Sequence, residues 1–254
     1  MQKEERNEKI LDILTENGFV KVTELSELLS VSEVTIRRDL QDLEDLDLLH
    51  RSHGGAKSIN SISSEINYKT RRRQNYPEKN AIAKAAFSFI KENMVILLDA
   101  GSTNYAIALL IVESNFNNLT VITNDLHIAI LFSESPKIKL ITLGGNVIPE
   151  IGNMQGLLTL NALSTIYTDI SFIGASCIHH DLKIYTPSED KVILKQKLME
   201  HTSTAICVVD ESKFSNQGMY FVANIHDFDV FITNKKFSEK QFSTLSDYTQ
   251  IITV

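Results

Sequence analysis

The sequence predicts an α/β protein in two folded parts: a winged helix-turn-helix over residues 1–58, and a Rossmann-like domain with a mostly parallel sheet over residues 81–254. In the first part, apolar residues at helical spacing precede a Gly-Gly turn. In the second part, short apolar runs alternate with helical patterns. Between them, residues 59–80 are polar and contain "NSISS" and "TRRRQNYP", so they are interpreted as a linker.

Three short helices and a hairpin are expected in the first part. Apolar spacing predicts a helix over residues 3–17, which Gly18 ends. Thr23 is expected to cap a second helix whose leucines face the core, and Ser32 to cap a third. The segment "LLHRSHGGAKSI" then predicts strand, turn and strand. This succession is typical of a winged helix-turn-helix.

The third helix carries two adjacent arginines. If the residues at helical spacing, Ile36, Leu40 and Leu43, face the core, the opposite face carries Val34, Arg38 and Gln41. Arginine and glutamine can hydrogen-bond base edges, and valine can contact a thymine methyl group. This composition suits a recognition helix in the major groove. The alternative is a solvated face on which Arg37 and Arg38 pair with Asp39 and Asp42.

The expected DNA contacts divide between this helix and the wing. The amino end of the helix offers N–H groups to a phosphate oxygen, and Asp39 is expected to orient one of the arginines. The full set predicted to contact double-stranded operator DNA is Ser32, Val34, Thr35, Arg37, Arg38, Gln41, Arg51, His53 and Lys57.

The overall charge of the chain is negative, with a formal net charge of −7. In DNA-binding proteins the distribution of charge matters more than the sum, and here four of the eight Lys and Arg residues of positions 1–58 fall on the third helix and the wing. Two cysteines without a CxxC spacing fit a reducing compartment. Without an apolar run behind the charged N-terminus or a run of membrane length, we expect a cytoplasmic protein that does not enter membranes.

Seven apolar runs in the second part predict buried parallel strands with helices on both faces. They are MVILLDA, LTVITND, IKLITLGG, DISFIGAS, AICVVDES, DVFITN and IITV. Four of the runs end in polar or glycine residues, and ligands of open α/β sheets bind at the carboxyl ends of strands. In "LLDAGSTN", Gly101, Ser102 and Thr103 could cradle a phosphate at a helix amino terminus. A simple structural turn with a capping serine fits that spacing equally well.

The sequence resembles the DeoR family of bacterial transcriptional regulators. The segments "SVSEVTIRRDL" and "RSHGGA" carry the resemblance in the first part. In the second part "EKNAIAKAA", "LLDAGSTN", "VITND", "LGGNV", "FIGAS" and "VDESKF" follow in the family's order. One departure is Asp47, where the family usually has glycine. Another is Cys177, where many members have glycine; we interpret Cys177 and Cys207 as buried strand residues.

The resemblance implies a sugar-phosphate sensor domain with a fold similar to ribose-5-phosphate isomerase and CoA transferases. It implies that Gly101, Ser102 and Thr103 hold phosphate, that Lys213 serves an anionic oxygen, and that the remaining residues hold or cover the sugar. The complete effector set is Asp99, Gly101, Ser102, Thr103, Asn124, Gly144, Gly145, Glu189, Lys195, Asp210 and Lys213. The roles of Arg71, Arg72 and Arg73 stay open between effector, DNA and solvent.

From these features we expect a transcriptional regulator that represses sugar-metabolism genes. A phosphorylated sugar is expected to release this repressor from DNA. It is expected to act as a homo-oligomer, a dimer or tetramer, without cofactor or metal. One alternative is an isomerase-like or acyl-transferase-like enzyme with an accessory DNA-binding head. That alternative needs a general base, and the comparable strand DISFIGAS offers only Asp169. Another is a vestigial second domain used only for oligomerisation.

Overall fold

A computed structural model describes residues 2–17, 19–46, 48–52, 54–58, 68–149, 151–214 and 218–254. The chain divides into two compact units, Met1–Arg71 and Arg72–Val254. The predicted DNA contact His53 and most of the linker, residues 59–67, lie outside the described residues.

The first unit is a winged helix-turn-helix. Its elements are α1 (Lys3–Asn17), β1 (Phe19–Lys21), α2 (Val22–Leu29), α3 (Glu33–Asp45), β2 (Leu49–Ser52) and β3 (Gly55–Ser58). The three strands form an antiparallel sheet in the order β1-β3-β2, in which β2 and β3 are the wing. Helix α4 (Tyr68–Arg73) runs across the boundary between the units.

Two predictions for α2 are wrong. Thr23 lies inside the helix and does not cap it. The N-cap is Lys21, whose backbone N–H donates to the Glu24 carboxylate at 3.0 Å. Leu25 is buried, but Leu28 is 65% exposed because α2 turns only one stripe toward the core. For α3 the prediction is confirmed, since Ser32 is the N-cap and its hydroxyl oxygen accepts from the Thr35 N–H at 3.2 Å.

The second unit alternates strands and helices. Its first half comprises α5 (Tyr76–Phe87), β4 (Val95–Leu98), α6 (Ser102–Glu113), β5 (Thr120–Thr123), α7 (Leu126–Ser133), β6 (Lys139–Thr142), β7 (Asn146–Ile148), β8 (Asn153–Gln155) and α8 (Leu157–Leu163). Its second half comprises β9 (Thr168–Ile173), β10 (Cys177–Ile178), β11 (Lys183–Thr186), α9 (Glu189–Glu200), β12 (Thr202–Val208), β13 (Tyr220–Asn224), β14 (Val230–Thr233), α10 (Glu239–Ser246) and β15 (Gln250–Thr253). Two short 3-10 helices cover Glu211–Phe214 and Ile225–Asp227.

The large sheet confirms the predicted α/β fold class. Seven parallel strands lie in the order β15-β14-β12-β9-β4-β5-β6, and each of them is one of the seven apolar runs. After β4, the next strands, β5 and β6, lie on one side of β4. The later strands β9, β12, β14 and β15 follow one another on the other side of β4. The strand order therefore reverses between β4 and β9, and such a switch point opens a crevice at the carboxyl ends of the two strands.

One apolar core lies on each face of this sheet. Neighbouring residues of a strand point to opposite faces, so Leu98 packs with α5, α6 and α7 while Leu97 packs with α8, α9 and α10. Cys177 and Cys207 are both buried, as interpreted, and burial raises the pKa of the Cys177 thiol to about 11.

The antiparallel elements of the second unit were not predicted. They are the β7–β8 hairpin and a three-stranded sheet in the order β10-β11-β13, whose strands have two to five residues. The helix predicted from residue 81 begins at Tyr76, because Pro77 suits the first turn of a helix. Helix α4 and the start of α5 thus occupy part of the segment interpreted as a linker. Among the residues described, no helix combines the length and apolar character needed to span a bilayer.

Candidate DNA interface and switch-point site

Helix α3 presents the predicted face. Ile36, Leu40 and Leu43 are buried in the core of the first unit. On the opposite side Val34 is 76% exposed, and Arg38 is exposed without a hydrogen-bond partner among the described residues. A buried side and a basic, exposed side give the helix the shape and chemistry needed to enter a major groove.

The amino end of α3 carries paired hydroxyls and one ion pair. The hydroxyl oxygens of Ser32 and Thr35 lie 2.9 Å apart, next to the first N–H groups of the helix. Arg37 pairs with Glu33 at 3.0 Å and both side chains are about half exposed. Because an exposed pair of this kind is weak, Arg37 can leave Glu33 for a phosphate.

Hydrogen bonds through Gln41 connect the wing to α3. The Arg51 guanidinium donates to the Gln41 side-chain oxygen, and the Gln41 amide nitrogen donates to Asp45 at 2.8 Å. The backbone N–H of Arg51 donates to Glu44 at 2.8 Å. Gln41 therefore has both ends of its amide engaged, and it must exchange these partners before it can bind a base edge.

Asp39 does not orient Arg37 or Arg38, so that prediction is wrong. Its carboxylate is buried and accepts two hydrogen bonds from Arg6 of α1, from Nε at 2.6 Å and from a terminal nitrogen at 3.0 Å. This hydrogen bond raises the pKa of Arg6. Successive helix residues point in different directions, so Asp39 faces α1 while Arg38 faces solvent.

A basic cleft lies between the helix and the wing. Arg37 and Arg51 line it together with Val22, Ser52 and the two wing glycines, Gly54 and Gly55. The two guanidinium groups give this cleft a positive charge suited to a phosphate. The predicted contact Lys57 belongs to β3, but its side chain lies outside the described part of the chain.

The switch-point site of the second unit is formed by Asp99, Gly101, Gly174 and Lys195. Asp99 directly follows β4, and Gly174 follows β9; the Gly174 N–H donates to the Asp99 carboxylate at 3.3 Å. Lys195, from α9, is buried and donates to Asp99 at 2.5 Å and to the Gly174 carbonyl at 2.7 Å. A buried carboxylate and ammonium thus meet at the reversal of strand order.

The loop before α6 is held by the end of β5. The N–H of Ala100 donates to Asn124 at 2.9 Å, and the N–H of Gly101 donates to Asp125 at 3.1 Å. The following amides, of Ser102 and Thr103, begin α6 and have no acceptor within the helix. A Cβ atom at Gly101 would meet nothing within 4 Å, so the approach to these amides is open. An anion can be bound there.

A buried donor faces this loop. The side-chain nitrogen of Asn124 is buried and has no hydrogen-bond partner among the described residues, while its oxygen is held by Ala100. A buried donor without a partner is costly, and a ligand oxygen would satisfy it.

Asp210 follows β12 at the same edge of the sheet. It is fully buried, and one of its oxygens accepts from the Asn75 side chain at 3.1 Å and from the N–H and hydroxyl of Ser212. Burial alone would raise its pKa. The attraction of Lys213 and Lys79 and these hydrogen bonds outweigh burial, so the pKa of Asp210 is lowered.

The remaining predicted effector residues differ in position. Gly145 is closely packed, since a Cβ atom would lie 2.2 Å from the Thr159 hydroxyl and 2.6 Å from the Gln155 carbonyl, whereas Gly144 has open space. Both have positive φ angles, which favour glycine. Glu189 is exposed at the first position of α9. Gly145 therefore has a structural reason for being glycine, separate from ligand binding.

Several site residues were not predicted. Asn75, Lys79, Asn104, Asp125 and Gly174 all contact the loops at the carboxyl edge of the sheet. Asp125 and Gly174 lie within the apolar-run segments VITND and FIGAS, so their strand-end positions were a usable signal. Asn75 precedes the first strand of the large sheet and no local pattern marks it, whereas Lys79 lies in EKNAIAKAA, one of the segments that carry the family resemblance.

Comparison with known proteins agrees with this geometry. A family model described as the DeoR-like helix-turn-helix domain matches residues 6–62, and one described as the DeoR C terminal sensor domain matches residues 74–235. The chain belongs to the DeoR family. It is therefore a helix-turn-helix transcriptional regulator, as the sequence predicted.

Two DeoR-family relatives match along nearly their full length. The lactose phosphotransferase system repressor of Lactococcus lactis is 31% identical over 99% of this chain and 99% of its own length. The glycerol-3-phosphate regulon repressor of Escherichia coli is 29% identical over 98% of this chain and 97% of its own. Among solved structures, ribose 5-phosphate isomerase A of Methanocaldococcus jannaschii is 22% identical with a TM-score of 0.40, covering 56% of this chain and 55% of its own.

Proposed function

We propose that this DeoR-family regulator is a repressor whose hold on operator DNA is released by a phosphorylated sugar or polyol bound at the switch-point site. The observation that carries the proposal is the combination at this site of an open helix amino terminus with buried hydroxyl-binding groups. The first favours an anion, and Asp99, Asn124 and Asp210 favour hydroxyl groups. The names of the two relatives, which refer to a lactose and a glycerol-3-phosphate system, support this ligand class.

At the atomic level, the phosphate would contact the first amides and hydroxyls of α6, at Ser102 and Thr103. Lys213 would supply a positive charge from the loop after β12. Asn124 would donate its unpartnered N–H to a ligand oxygen, and a ligand hydroxyl would donate to Asp99 or Asp210. Lys195 neutralises Asp99 and so allows a carboxylate to stay buried beside an anionic ligand.

In the first unit, α3 would enter the major groove and the basic cleft of Arg37 and Arg51 would hold the backbone. Val34, Arg38 and Gln41 would contact bases, with Gln41 first leaving Asp45 and Arg51. A single helix reads a short half-site, so we propose that a homo-oligomer, a dimer or tetramer, binds two of them.

The enzyme alternative is disfavoured by the position of Asp169. This residue lies at the amino end of β9, where its carboxylate accepts from the Val95 N–H at 2.7 Å. The switch-point site is at the opposite, carboxyl end of the same strand. Asp169 therefore does not supply the general base that an isomerase would need.

A thermal-shift panel tests the ligand class. The purified full chain is heated with glycerol 3-phosphate, ribose 5-phosphate and fructose 1-phosphate, and in parallel with glycerol, ribose and fructose. We expect one or more phosphorylated probes to raise the unfolding temperature and the free polyols to have no effect, because the free compounds lack the anion. A ligand present at about 100 times its Kd stabilises by about 2.7 kcal/mol.

Gly101→Ala is the matched variant for this panel. Its Cβ would enter open space, so folding is expected to be unaffected while the ligand-induced shift is lost. The proposed function would be contradicted if no phosphorylated compound of a broad panel shifted the unfolding temperature of the wild type. Equal shifts with free sugars, or turnover of a sugar phosphate, would also contradict it.

A further inference from the structure

The segment that leads into the second unit is attached to the switch-point region at two places. This connector segment, defined here as residues 72–79, begins at the first residue of the second unit. At its start, the Arg72 guanidinium lies over the ring of Tyr105, 4.3 Å from the ring centre. Tyr105 is in the first turn of α6, and its N–H donates to the Gly101 carbonyl at 2.9 Å. One attachment thus ends on the loop proposed to hold phosphate.

The second attachment ends on Asp210. Asn75 precedes α5 with a positive φ of 51°, and its side chain does not cap the helix but donates to the Asp210 carboxylate at 3.1 Å. One turn later Lys79 is buried, with its ammonium group 3.6 Å from the other Asp210 oxygen. Lys79 also donates to the backbone carbonyl of Gln74. Asn75, in the left-handed conformation, and the buried Lys79 thus both interact with the Asp210 carboxylate.

We propose that the connector segment and the bound effector compete for Asp210, so that ligand binding detaches residues 72–79 from the sheet edge and lowers operator affinity. This inference rests on the proposed function and adds the route of its regulation. Asn75 occupies a hydrogen-bonding position on Asp210 that a ligand hydroxyl would take.

The consequence for the DNA-binding unit follows from chain connectivity. Arg72 directly follows Arg71, the last residue of the first unit. Freeing the connector segment therefore loosens the chain at the point where the first unit ends. Oligomers bind two half-sites at fixed spacing, and a looser restraint lowers affinity for the pair. Because linkage is reciprocal, removing the competing asparagine must also tighten effector binding.

The test measures two affinities in the full-length chain. An operator duplex is first selected from a random library with the wild-type protein, and its Kd is measured without ligand by fluorescence anisotropy. We expect Asn75→Ala and Asn75→Asp to raise this Kd by about 5-fold or more, the lower end of ordinary coupling. Asn75→Asp places a second carboxylate against Asp210 with little change in shape, and it keeps the test valid if the alanine variant folds poorly.

Matched control variants separate the expected rise in operator Kd from a general loss of folding. Asn118→Ala removes an exposed asparagine of the same unit, and Lys84→Gln removes an exposed charge on α5. Both are expected to bind operator as the wild type does. Arg72→Gln, which removes the contact with Tyr105, is expected to behave like the Asn75 variants.

The second affinity is for the phosphorylated probes of the thermal-shift panel. We expect Asn75→Ala to reach half of the maximal shift in unfolding temperature at a lower concentration of the active probe than the wild type does. Unchanged operator Kd in both Asn75 variants would overturn the competition mechanism, as would operator loss with unchanged or weaker probe binding. If no probe shifts the wild type, the proposed function fails, and the ligand-free operator Kd still decides whether the connector segment controls DNA binding.

Discussion

At the scale of single residues, Asp39 shows how a neighbour in sequence differs from a partner in space. Its position beside two arginines suggested a local ion pair, yet the fold pairs it with Arg6, 33 positions earlier. The pair is buried, with two hydrogen bonds, and it joins α1 to the helix that carries the DNA-binding face. Asp39 is therefore buried in a contact that positions α3 against α1.

We predict that Asp39→Asn destabilises the first unit by about 3–5 kcal/mol, because it removes the carboxylate charge that accepts two hydrogen bonds from the buried Arg6 guanidinium. The matched control is Asp42→Asn. Asp42 pairs with Lys3 at 2.6 Å, but both side chains are more than one third exposed, so water screens the pair and the expected loss is much smaller than for Asp39→Asn. Urea unfolding of the full-length chain measures both, and equal losses would show that burial of the Asp39 pair contributes nothing.

The predicted effector residues show a similar limit at this scale. Strand-end position predicted that polar residues gather at one edge of the sheet, and the family resemblance implied the roles of Asp99, Asn124 and Asp210 there. Their partners were beyond sequence reasoning. Lys195 reaches Asp99 across 96 positions and Asn75 reaches Asp210 across 135, and only the packed helices α9 and α5 bring them there.

At the scale of elements, buried parallel strands were the most predictable part of the molecule. The inner strands of the sheet are largely buried and therefore mostly apolar, while the edge strands β6 and β15 are partly exposed; all seven still stand out as apolar runs in the sequence. The β7–β8 hairpin and the β10-β11-β13 sheet have short strands with mixed exposure, which leave no distinctive period. The start of α5 was misplaced because polar residues surround Pro77, and a polar first turn resembles a linker.

Helix α3 carries the element-scale prediction. Arg38→Ala should weaken binding to the selected operator by about 1–3 kcal/mol and relax the sequence preference at the contacted base, as expected for a bidentate contact. Arg37→Ala is the comparison, because a phosphate contact should be lost equally on operator and random duplexes. Anisotropy titrations on both duplexes distinguish the two roles, and an equal loss for Arg38→Ala on random DNA would make Arg38 a backbone contact.

At the scale of the whole molecule, the chain forms two units with separate cores, and we propose that they act together in regulation. The first offers a basic surface on an otherwise acidic chain, and the second offers a site where strand order reverses. Sequence patterns predicted both folds and placed the candidate effector residues at one edge of the large sheet. The attachment of the connector segment to the sheet edge could not be predicted, since it depends on contacts with residues far away in the sequence.

The most direct test of this regulator is a titration of the selected operator duplex with and without the phosphorylated probe that stabilises the protein. We predict that the probe raises the operator Kd by about 10-fold or more in the wild type, within the usual range of coupling between sites. In Lys213→Ala, operator affinity without probe should be unchanged and the response to probe should be lost. An operator Kd that the stabilising probe does not change, or a full response in Lys213→Ala, would contradict control of DNA binding from the switch-point site.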